Sequence, residues 1–362
     1  MQLICLSCLA LLATACWNLR LENVTQLEGT FLIQIGSTLL RPSLHLGTAI
    51  PFLLSAVFAG QARAVPRLTV SEEPDGATVY VDGEVFTRYL KRSGTRPVLW
   101  PLNGPTGSPV TRRYPVGGRG PGEEVDHVHH RSVWFGYEGV NGCDFWHEPE
   151  PGVARHYEIG SVAHREFVRL DSNDEKAVIG TRNDWLNASG QAVAHDQRLL
   201  EFGATDEARW IDFRIRLWSA EGPLTIGDTK EGMFAVRVGS TMRVDAKQGG
   251  EIVNSRGAVD DATWGQEAEW VDYHGPVDGE RVGIAIFADP RSKYGVPRWH
   301  VRPYGLHAAN PFGKAPYTGK LEDQGGLTVP AGEAIDLRYR IYLHRGDERE
   351  GKVAEAYEAF AK

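Results

Sequence analysis

Three histidines lie close together in a segment rich in carboxylates. His127, His129 and His130 follow three acidic residues, Arg131 comes directly after them, and the aromatic Trp134 follows three positions later. If the segment is a β-strand, His127 and His129 share one face. Imidazole titrates near neutral pH and suits proton transfer, and in its neutral form it is also a common metal ligand. We predict a functional role for at least one of the three; the alternative is that one or two of them merely hydrogen-bond to the backbone.

A second charged group follows an apparent strand. Asp228, Lys230 and Glu231 fall within four positions of one another. A carboxylate in such a place can act as a general base or fix sugar hydroxyls. A solvated turn closed by a salt bridge accounts equally well for the pattern.

A third group mixes aromatic, imidazole and guanidinium side chains. It contains His300, Arg302, Tyr304, His307 and Asn310, and His300 and Arg302 are expected to share a strand face. Flat aromatic faces pack on the C–H groups of a sugar, and fork-like donors bind hydroxyls or a carboxylate. This composition is typical of a polyol pocket.

The elements that must position these groups are strands. Apolar and polar residues alternate over 210–218 and 335–343, and 282–288 is a continuous apolar run suited to a strand covered on both sides. Asp82-Gly83 is the pair that a tight hairpin turn favours. Only 350–361 changes to a helical period. The pattern predicts an all-β protein, a large antiparallel β-sandwich that ends in a short C-terminal helix.

The net charge and the absence of several motifs argue against a number of functional classes. A net charge of −8 without a Lys/Arg-rich run argues against nucleic-acid binding. The sequence lacks the Gly-x-Ser-x-Gly elbow, the phosphate-binding Gly-x-x-x-x-Gly-Lys loop, Cys-x-x-Cys pairs and the His-Glu-x-x-His stretch. Serine esterases, nucleotide hydrolases, zinc ribbons and zincin proteases are therefore not indicated. Two well-spaced carboxylates of a glycosidase remain compatible with the sequence.

The amino terminus has the pattern of an export signal. Residues 46–60 carry no charge and are too short to span a bilayer comfortably, and Ala62 and Ala64 form the A-x-A site that a signal peptidase accepts. We predict a signal peptide at about 42–64, cleavage after Ala64, and a secreted or periplasmic domain over 65–362 without a transmembrane span. The residues upstream are interpreted as a non-native extension; a lipoprotein signal ending at Cys16 and a membrane anchor are the alternatives.

Several motifs in a fixed order point to a known family. They are Asp126-His127-x-His129-His130-Arg131, Trp134-Phe135-Gly136, Asn141-Gly142-x-Asp144-Phe145-Trp146, the stretch 228–234, Asn254-Ser255-x-Gly257, Trp270-Val271-Asp272-Tyr273 and the run 299–313. Together they resemble the PmoA-like domain family over roughly 68–345. Val128 stands where that pattern commonly has Pro, but the polar positions are intact. The resemblance implies a galactose mutarotase-like supersandwich that handles sugars.

Mutarotase-like sites pair a carboxylate base with an imidazole acid. By type of chemistry, Glu231 is the candidate base and His127, His129 or His300 the candidate acid. The predicted function is an exported carbohydrate-active protein, either a sugar epimerase or an enzyme that cleaves a modified glycoside. A non-catalytic sugar-binding protein and a metal-dependent enzyme that uses His127, His129 and His300 with a carboxylate are the alternatives.

The expected partner is a small-molecule carbohydrate. No cofactor is predicted, and a divalent metal stays open as part of the metalloenzyme alternative. The predicted catalytic residues are His127, His129, Glu231 and His300. The predicted substrate-binding residues are His130, Arg131, Trp134, Asp228, Lys230, Arg302, Tyr304, His307 and Asn310.

Overall fold

The computed structural model describes residues 65–362, so the predicted signal segment and everything upstream lie outside the described residues. The first strands along the chain are β1 (Leu68–Glu73), β2 (Gly76–Val81), β3 (Glu84–Ser93), β4 (Arg96–Leu102), β5 (Val133–Val140), β6 (Cys143–Asp144), β7 (Glu158–Ile159), β8 (Ser161–Asn173), β9 (Lys176–Leu186), β10 (Ala192–Ala204) and β11 (Ala208–Ser219).

The remaining strands are β12 (Leu224–Ile226), β13 (Gly232–Arg237), β14 (Glu251–Asn254), β15 (Trp270–Val277), β16 (Glu280–Ala288), β17 (Arg298–Val301), β18 (Leu306–Asn310), β19 (Leu327–Val329) and β20 (Ala334–Arg345). Two short α-helices accompany them, α1 (Ala315–Thr318) and α2 (Val353–Ala361). Neither helix of the described part is long and apolar enough to cross a bilayer.

The strands form two large sheets, which confirms the all-β, antiparallel prediction. Sheet one has the order β1-β2-β3-β4-β5-β13-β18-β17, with β6, β7, β12 and β19 attached beside β5. Sheet two has the order β14-β15-β16-β20-β11-β10-β9-β8. Every pairing is antiparallel except that of β6 with β7. Strands that are distant in sequence, such as β5, β13 and β18, are therefore neighbours in sheet one.

The period-two patterns hold where they were predicted. In β11, Ile211, Phe213, Ile215 and Leu217 are buried in the core. The Asp82-Gly83 turn joins β2 to β3, and both residues have positive φ angles, 52° and 85°. A hairpin turn with two left-handed residues matches the twist of its strands, which is why this pair is favoured there.

The continuous apolar run in β16 is covered on both sides, as predicted. Ile284 and Ile286 belong to the main core, whereas Ala285 and Phe287 pack with Val353 and Phe360 of α2. The terminal helix therefore exists because the outer face of sheet two is apolar at this point and needs a cover.

Aromatic rings join the two sheets through the middle of the sandwich. Phe135 of β5 stacks on Phe213 of β11 at 5.7 Å between ring centres, Phe213 on Phe234 of β13 at 4.7 Å, and Phe234 on Tyr339 of β20 at 4.9 Å. Because side chains alternate along a strand, Trp134 faces away from this column. It belongs to a smaller apolar cluster with Ala235 and Ala308 on the outward face of sheet one.

Candidate functional site

A polar cleft of about 540 Å³ opens on that outward face. Eight of the residues predicted for the site line it, and they come from all three sequence groups: His127, His129, His130, Lys230, Glu231, His300, Arg302 and Tyr304. The groups converge because β5, β13, β18 and β17 are consecutive in sheet one and each group lies at the end of one of these strands or just before it.

The first group is not on a strand, which corrects the sequence-based interpretation. Residues 121–132 form turns and irregular backbone, and His127 has a φ of 42°. The buried guanidinium of Arg112 donates to the carbonyl oxygens of Asp126, His127 and His130 at 3.1, 3.1 and 3.3 Å. These carbonyls are thus satisfied by a side chain instead of a neighbouring strand. His127 and His129 still both reach the cleft.

Stacked rings form one wall of the cleft. His130 stacks on Trp134 at 5.2 Å, His127 on His130 at 4.8 Å, and Tyr304 on His127 at 4.9 Å between ring centres. The interplanar angles are 20°, 11° and 10°. Trp134 is buried beneath the wall, so its role is to support His130 and not to contact a ligand.

Two histidines of the cleft are backed by carboxylates. Nδ1 of His127 lies 2.7 Å from Oδ2 of Asp126, and Nδ1 of His147 lies 2.8 Å from Oδ2 of Asp144. An ionised carboxylate only accepts, so in both rings Nδ1 carries a proton and donates it. Such a carboxylate fixes the ring and stabilises the imidazolium that forms when Nε2 takes up a proton. Both side chains are suited to proton transfer.

Glu231 is the buried carboxylate of the cleft. Lys230 donates to its Oε1, and Nδ1 of His300 lies 3.8 Å from its Oε2. Burial opposes ionisation, but His300, whose ring is protonated only in the acid range, and the ammonium of Lys230 outweigh it there, so the pKa of Glu231 lies below its ordinary value. Glu231 is therefore a carboxylate at neutral pH, able to accept a proton or bind a hydroxyl.

Three other histidines are held neutral by the protein. Burial is the largest cause in each case: it lowers the pKa of His300 to about 4, and it holds the pKa values of His129 and His130 well below the ordinary range. Nδ1 of His300 donates to the carbonyl oxygen of Lys230 at 2.9 Å, which leaves a lone pair on Nε2. His300 is thus a hydrogen-bond acceptor at neutral pH, not a charged acid.

Five predicted site residues are not part of the cleft wall. Arg131 pairs with Glu148 through two hydrogen bonds behind the wall, and Trp134 supports it from below. The carboxylate of Asp228 accepts from the backbone N–H groups of residues 314, 315 and 325, so it holds a loop.

The other two residues are buried elsewhere. His307 alternates with Leu306 and Ala308 on β18 and so faces the interior, where its ring lies 5.7 Å from that of Trp299. Asn310 accepts from the backbone of residues 312 and 313 and donates to the carbonyl oxygen of Thr229. Both residues position backbone or fill the core.

Five lining residues were not among the predicted set: Asp126, His147, Glu150, Arg155 and Trp264. Asp126 and His147 had a signal, because one is part of the first family motif and the other directly follows the motif that ends at Trp146. Glu150 and Arg155, which pair at 2.9 Å, lie in a loop with no pattern that marks them. Trp264 was one of many tryptophans, most of them in the core.

Metal ligation by the predicted histidines has no support in the geometry. Within residues 65–362, two groups have three potential ligand atoms within 4.8 Å of one another: Glu138, Asp144 and His147, and Glu251, His274 and Glu348. Neither combines His127, His129 and His300.

A larger opening of about 720 Å³ lies on the outer face of sheet two. Its wall is rich in arginine, but these cations have carboxylate partners; Arg214 is 3.4 Å from Glu201 and Arg216 is 3.6 Å from Asp336. No histidine of the described residues lines it, and its two carboxylates are paired with arginines, Asp289 with Arg291 at 2.9 Å and Asp336 with Arg216. The polar cleft is therefore the better candidate for chemistry.

Comparisons with known proteins place the chain in a family but give no activity. A model described as a family of unknown function, DUF6807, matches residues 76–358. The PmoA-like name expected from the motifs is not confirmed by this match. A non-reducing polyketide synthase of Phaeosphaeria nodorum is 29% identical over 160 residues, which cover 39% of this chain and 9% of that protein. The chain thus spans less than a tenth of the length of this curated relative.

Several solved structures of sugar-related proteins are similar to the chain at low scores. Galactose 1-epimerase from Lactobacillus acidophilus is 9% identical with a TM-score of 0.36, over 78% of this chain and 100% of that one. A galactose mutarotase-like protein from Lactobacillus casei is 10% identical with a TM-score of 0.26, over 76% and 100%. GH36 α-galactosidase from Geobacillus stearothermophilus is 10% identical with a TM-score of 0.29, over 78% and 41%. Similarity at this level does not establish an activity.

Proposed function

We propose that this chain, a member of DUF6807, a family of unknown function, binds a small carbohydrate in the polar cleft and transfers protons to and from the sugar. Glu231 acts as the base. His127 or His147 acts as the acid. The reaction class is epimerisation of a free sugar or cleavage of a modified glycoside.

The observation that carries this proposal is the charge state of Glu231 beside carboxylate-backed imidazoles in one cleft. Glu231 is only 16% exposed, yet its pKa is lowered, so it stays ionised where water is scarce. The same cleft holds His127 and His147, whose Nδ1–H groups donate to Asp126 and Asp144, the arrangement that orients an imidazole for proton transfer.

The acid assignment differs from the first expectation. His129 and His300 were candidates, but burial keeps both rings neutral at pH 7. A neutral His300 whose Nε2 has a lone pair suits a hydrogen bond from a sugar hydroxyl instead. His127 is 39% exposed, so it can exchange its proton with water between turnovers.

A carbohydrate fits the remaining chemistry of the cleft. A volume of about 540 Å³ is in the range of small-molecule sites. Tyr304 and Trp264 present aromatic surface, while Lys230, Glu231 and His300 present polar atoms. Aromatic faces for C–H groups and dense hydrogen-bonding groups for hydroxyls are what a sugar requires.

The test is an NMR screen for anomerisation, epimerisation and glycoside cleavage with the purified protein and a panel of neutral and acidic sugars. Glu231→Gln keeps the shape of the side chain and removes the base; we expect it to lower kcat by about 10²- to 10⁴-fold. Glu201→Gln on sheet two, where Glu201 pairs with Lys176, is the matched control and should leave kcat unchanged.

Full turnover by Glu231→Gln would refute the assignment of the base. Saturable sugar binding by the wild type without any product would refute the catalytic part and leave a sugar-binding protein. Export stays a prediction from the sequence, since residues 1–64 lie outside the described chain.

A further inference from the structure

Arg302 differs from the other cations that line the cleft. Lys230 is paired with Glu231, and Arg155 with Glu150. The guanidinium of Arg302 forms no hydrogen bond and no ion pair with any side chain or carbonyl in residues 65–362. A cation that lines a cleft without a carboxylate partner is available to an anionic ligand.

Two aromatic rings hold this guanidinium in place. Its central carbon lies 5.8 Å from the ring centre of Trp264 and 5.9 Å from that of Tyr304. Tyr304 is itself fixed by its stacking on His127. Cation–π contacts to two rings limit the positions that the guanidinium can adopt, so less entropy is lost when it binds a planar anion.

Among the cations that line the cleft, Arg302 is the one that no carboxylate within residues 65–362 neutralises. Glu150 and Glu231 each have their own cation, and Asp126 accepts from both Arg112 and Arg237, which are buried behind the wall. The indole Nε1–H of Trp264 is a further donor with no acceptor in the described part of the chain. The cleft therefore offers excess donors and excess positive charge next to the carboxylate of Glu231.

We propose that the carbohydrate bound here is a sugar acid. Its exocyclic carboxylate pairs with Arg302, and its hydroxyl groups face Glu231 and His300. This inference rests on the proposed function and adds the substrate class. A guanidinium binds a carboxylate through two parallel hydrogen bonds. A monoanion matches the single unpaired cation, whereas a phosphate ester carries about 1.5 to 2 negative charges at neutral pH and would meet the carboxylates of the cleft.

The experiment measures affinities by calorimetry for D-glucuronate and D-galacturonate against D-glucose and D-galactose, with a sulfated and a phosphorylated hexose as further probes. We expect the wild type to bind one uronate at least tenfold more tightly than its neutral parent. In Arg302→Met this ratio should fall below about threefold while affinity for the neutral parent is retained, and Arg302→Lys should give an intermediate ratio.

Arg214→Met is the control, because Arg214 lies on the outer face of sheet two, away from the cleft, and is likewise paired with a carboxylate, that of Glu201. It should keep the wild-type ratio. Equal binding of uronate and neutral parent, a ratio that survives Arg302→Met, or tighter binding of the sulfated or phosphorylated hexose would overturn the sugar-acid assignment and leave the proposed function standing. No binding of any sugar would overturn the proposed function as well.

Discussion

A buried ion network at the end of sheet two leads to a testable prediction about the stability of the fold. Asp272 of β15 is fully buried and accepts from Nε2 of His344 at 3.0 Å and from Nδ1 of His274 at 2.8 Å. Nδ1 of His344 also lies 3.0 Å from the carbonyl oxygen of Arg345. Both partners of His344 can only accept, so both of its nitrogens carry protons and the ring is an imidazolium.

The electrostatics agree with this protonation state. Burial disfavours the charged ring, but the carboxylate of Asp272 outweighs it and raises the pKa of His344. The same balance raises the pKa of His274, with Glu348 4.0 Å and Glu251 3.9 Å from its ring nitrogens. Asp272 in turn has a pKa held well below its usual range, because His344 and His274 overcome the effect of burial.

We predict that Asp272→Asn costs about 3–5 kcal/mol of unfolding free energy at pH 6, the usual effect of removing one partner of a buried ion pair. The amide has the shape of the carboxylate but lacks its charge, and its NH₂ group must face one of the two ring N–H donors. Two hydrogen bonds to charged groups, at about 1.5–3 kcal/mol each, give about 3–6 kcal/mol, which overlaps that range.

The measurement is denaturant unfolding at pH 6 and pH 9, with Asp184→Asn as control. Asp184 lies 2.6 Å from His195 on the same sheet, but the two side chains are 23% and 32% exposed. Loss of the Asp184 charge should therefore lower the free energy of unfolding by only about 0–1 kcal/mol. A raised histidine pKa adds stability below the unfolded pKa of about 6.5, and this stability is lost as pH rises through the folded pKa. The cost of Asp272→Asn should therefore shrink at pH 9. A cost equal to that of Asp184→Asn, or one that does not change with pH, would refute the account.

Two further predictions concern the acid side and the amino terminus. Burial lowers the pKa of four histidines: His129, His130, His300 and His307. The folded-state pKa is about 4 for His300 and about 3 for His307. Their contribution to the free energy of unfolding is therefore complete above the unfolded pKa of about 6.5 and decreases as the pH falls toward the folded values. His307→Phe should make the slope of unfolding free energy against pH shallower by about 1.4 kcal/mol per unit near pH 5; an unchanged slope would contradict the assignment of a neutral His307. Sequencing of the mature amino terminus should begin at Val65, and a start within 1–64 would exclude cleavage after Ala64.

The fold could be predicted because its signals are local. An element that buries one face shows alternation or a helical period, as in β11, β20 and α2, and a strand that buries both faces shows a continuous apolar run, as in β16. All four elements were predicted and are confirmed. The strand geometry considered for His127 and His129 does not hold, because the segment is a loop whose carbonyl oxygens accept from Arg112. Nothing in residues 121–132 reveals a guanidinium that comes from an earlier part of the chain.

The site was predictable only where function and local pattern coincide. His300 and Arg302 were expected on one strand face, and both line the cleft, although β17 ends at Val301 and Arg302 lies just beyond it. Alternation along β18 sends His307 to the interior, but whether a strand face is core or cleft depends on which sheet covers it, and that is a non-local property. His147 shows the converse: it belongs to the cleft through its bond to Asp144, three positions earlier, although no histidine cluster marked it.

Asp228 and Glu231 show why carboxylates are the hardest residues to assign. They stand three positions apart in one charged stretch and have the same chemistry, so sequence gives them equal claims on catalysis. In the structure the carboxylate of Asp228 accepts hydrogen bonds from three backbone N–H groups and so holds a loop in place. Glu231 keeps a second carboxylate oxygen that faces His300 and the cleft. The difference is decided by the loop around 312–325, which returns to this point from about 90 residues later in the chain. A carboxylate can act as a base only if the backbone has not already used its lone pairs, and only the tertiary structure reveals that use.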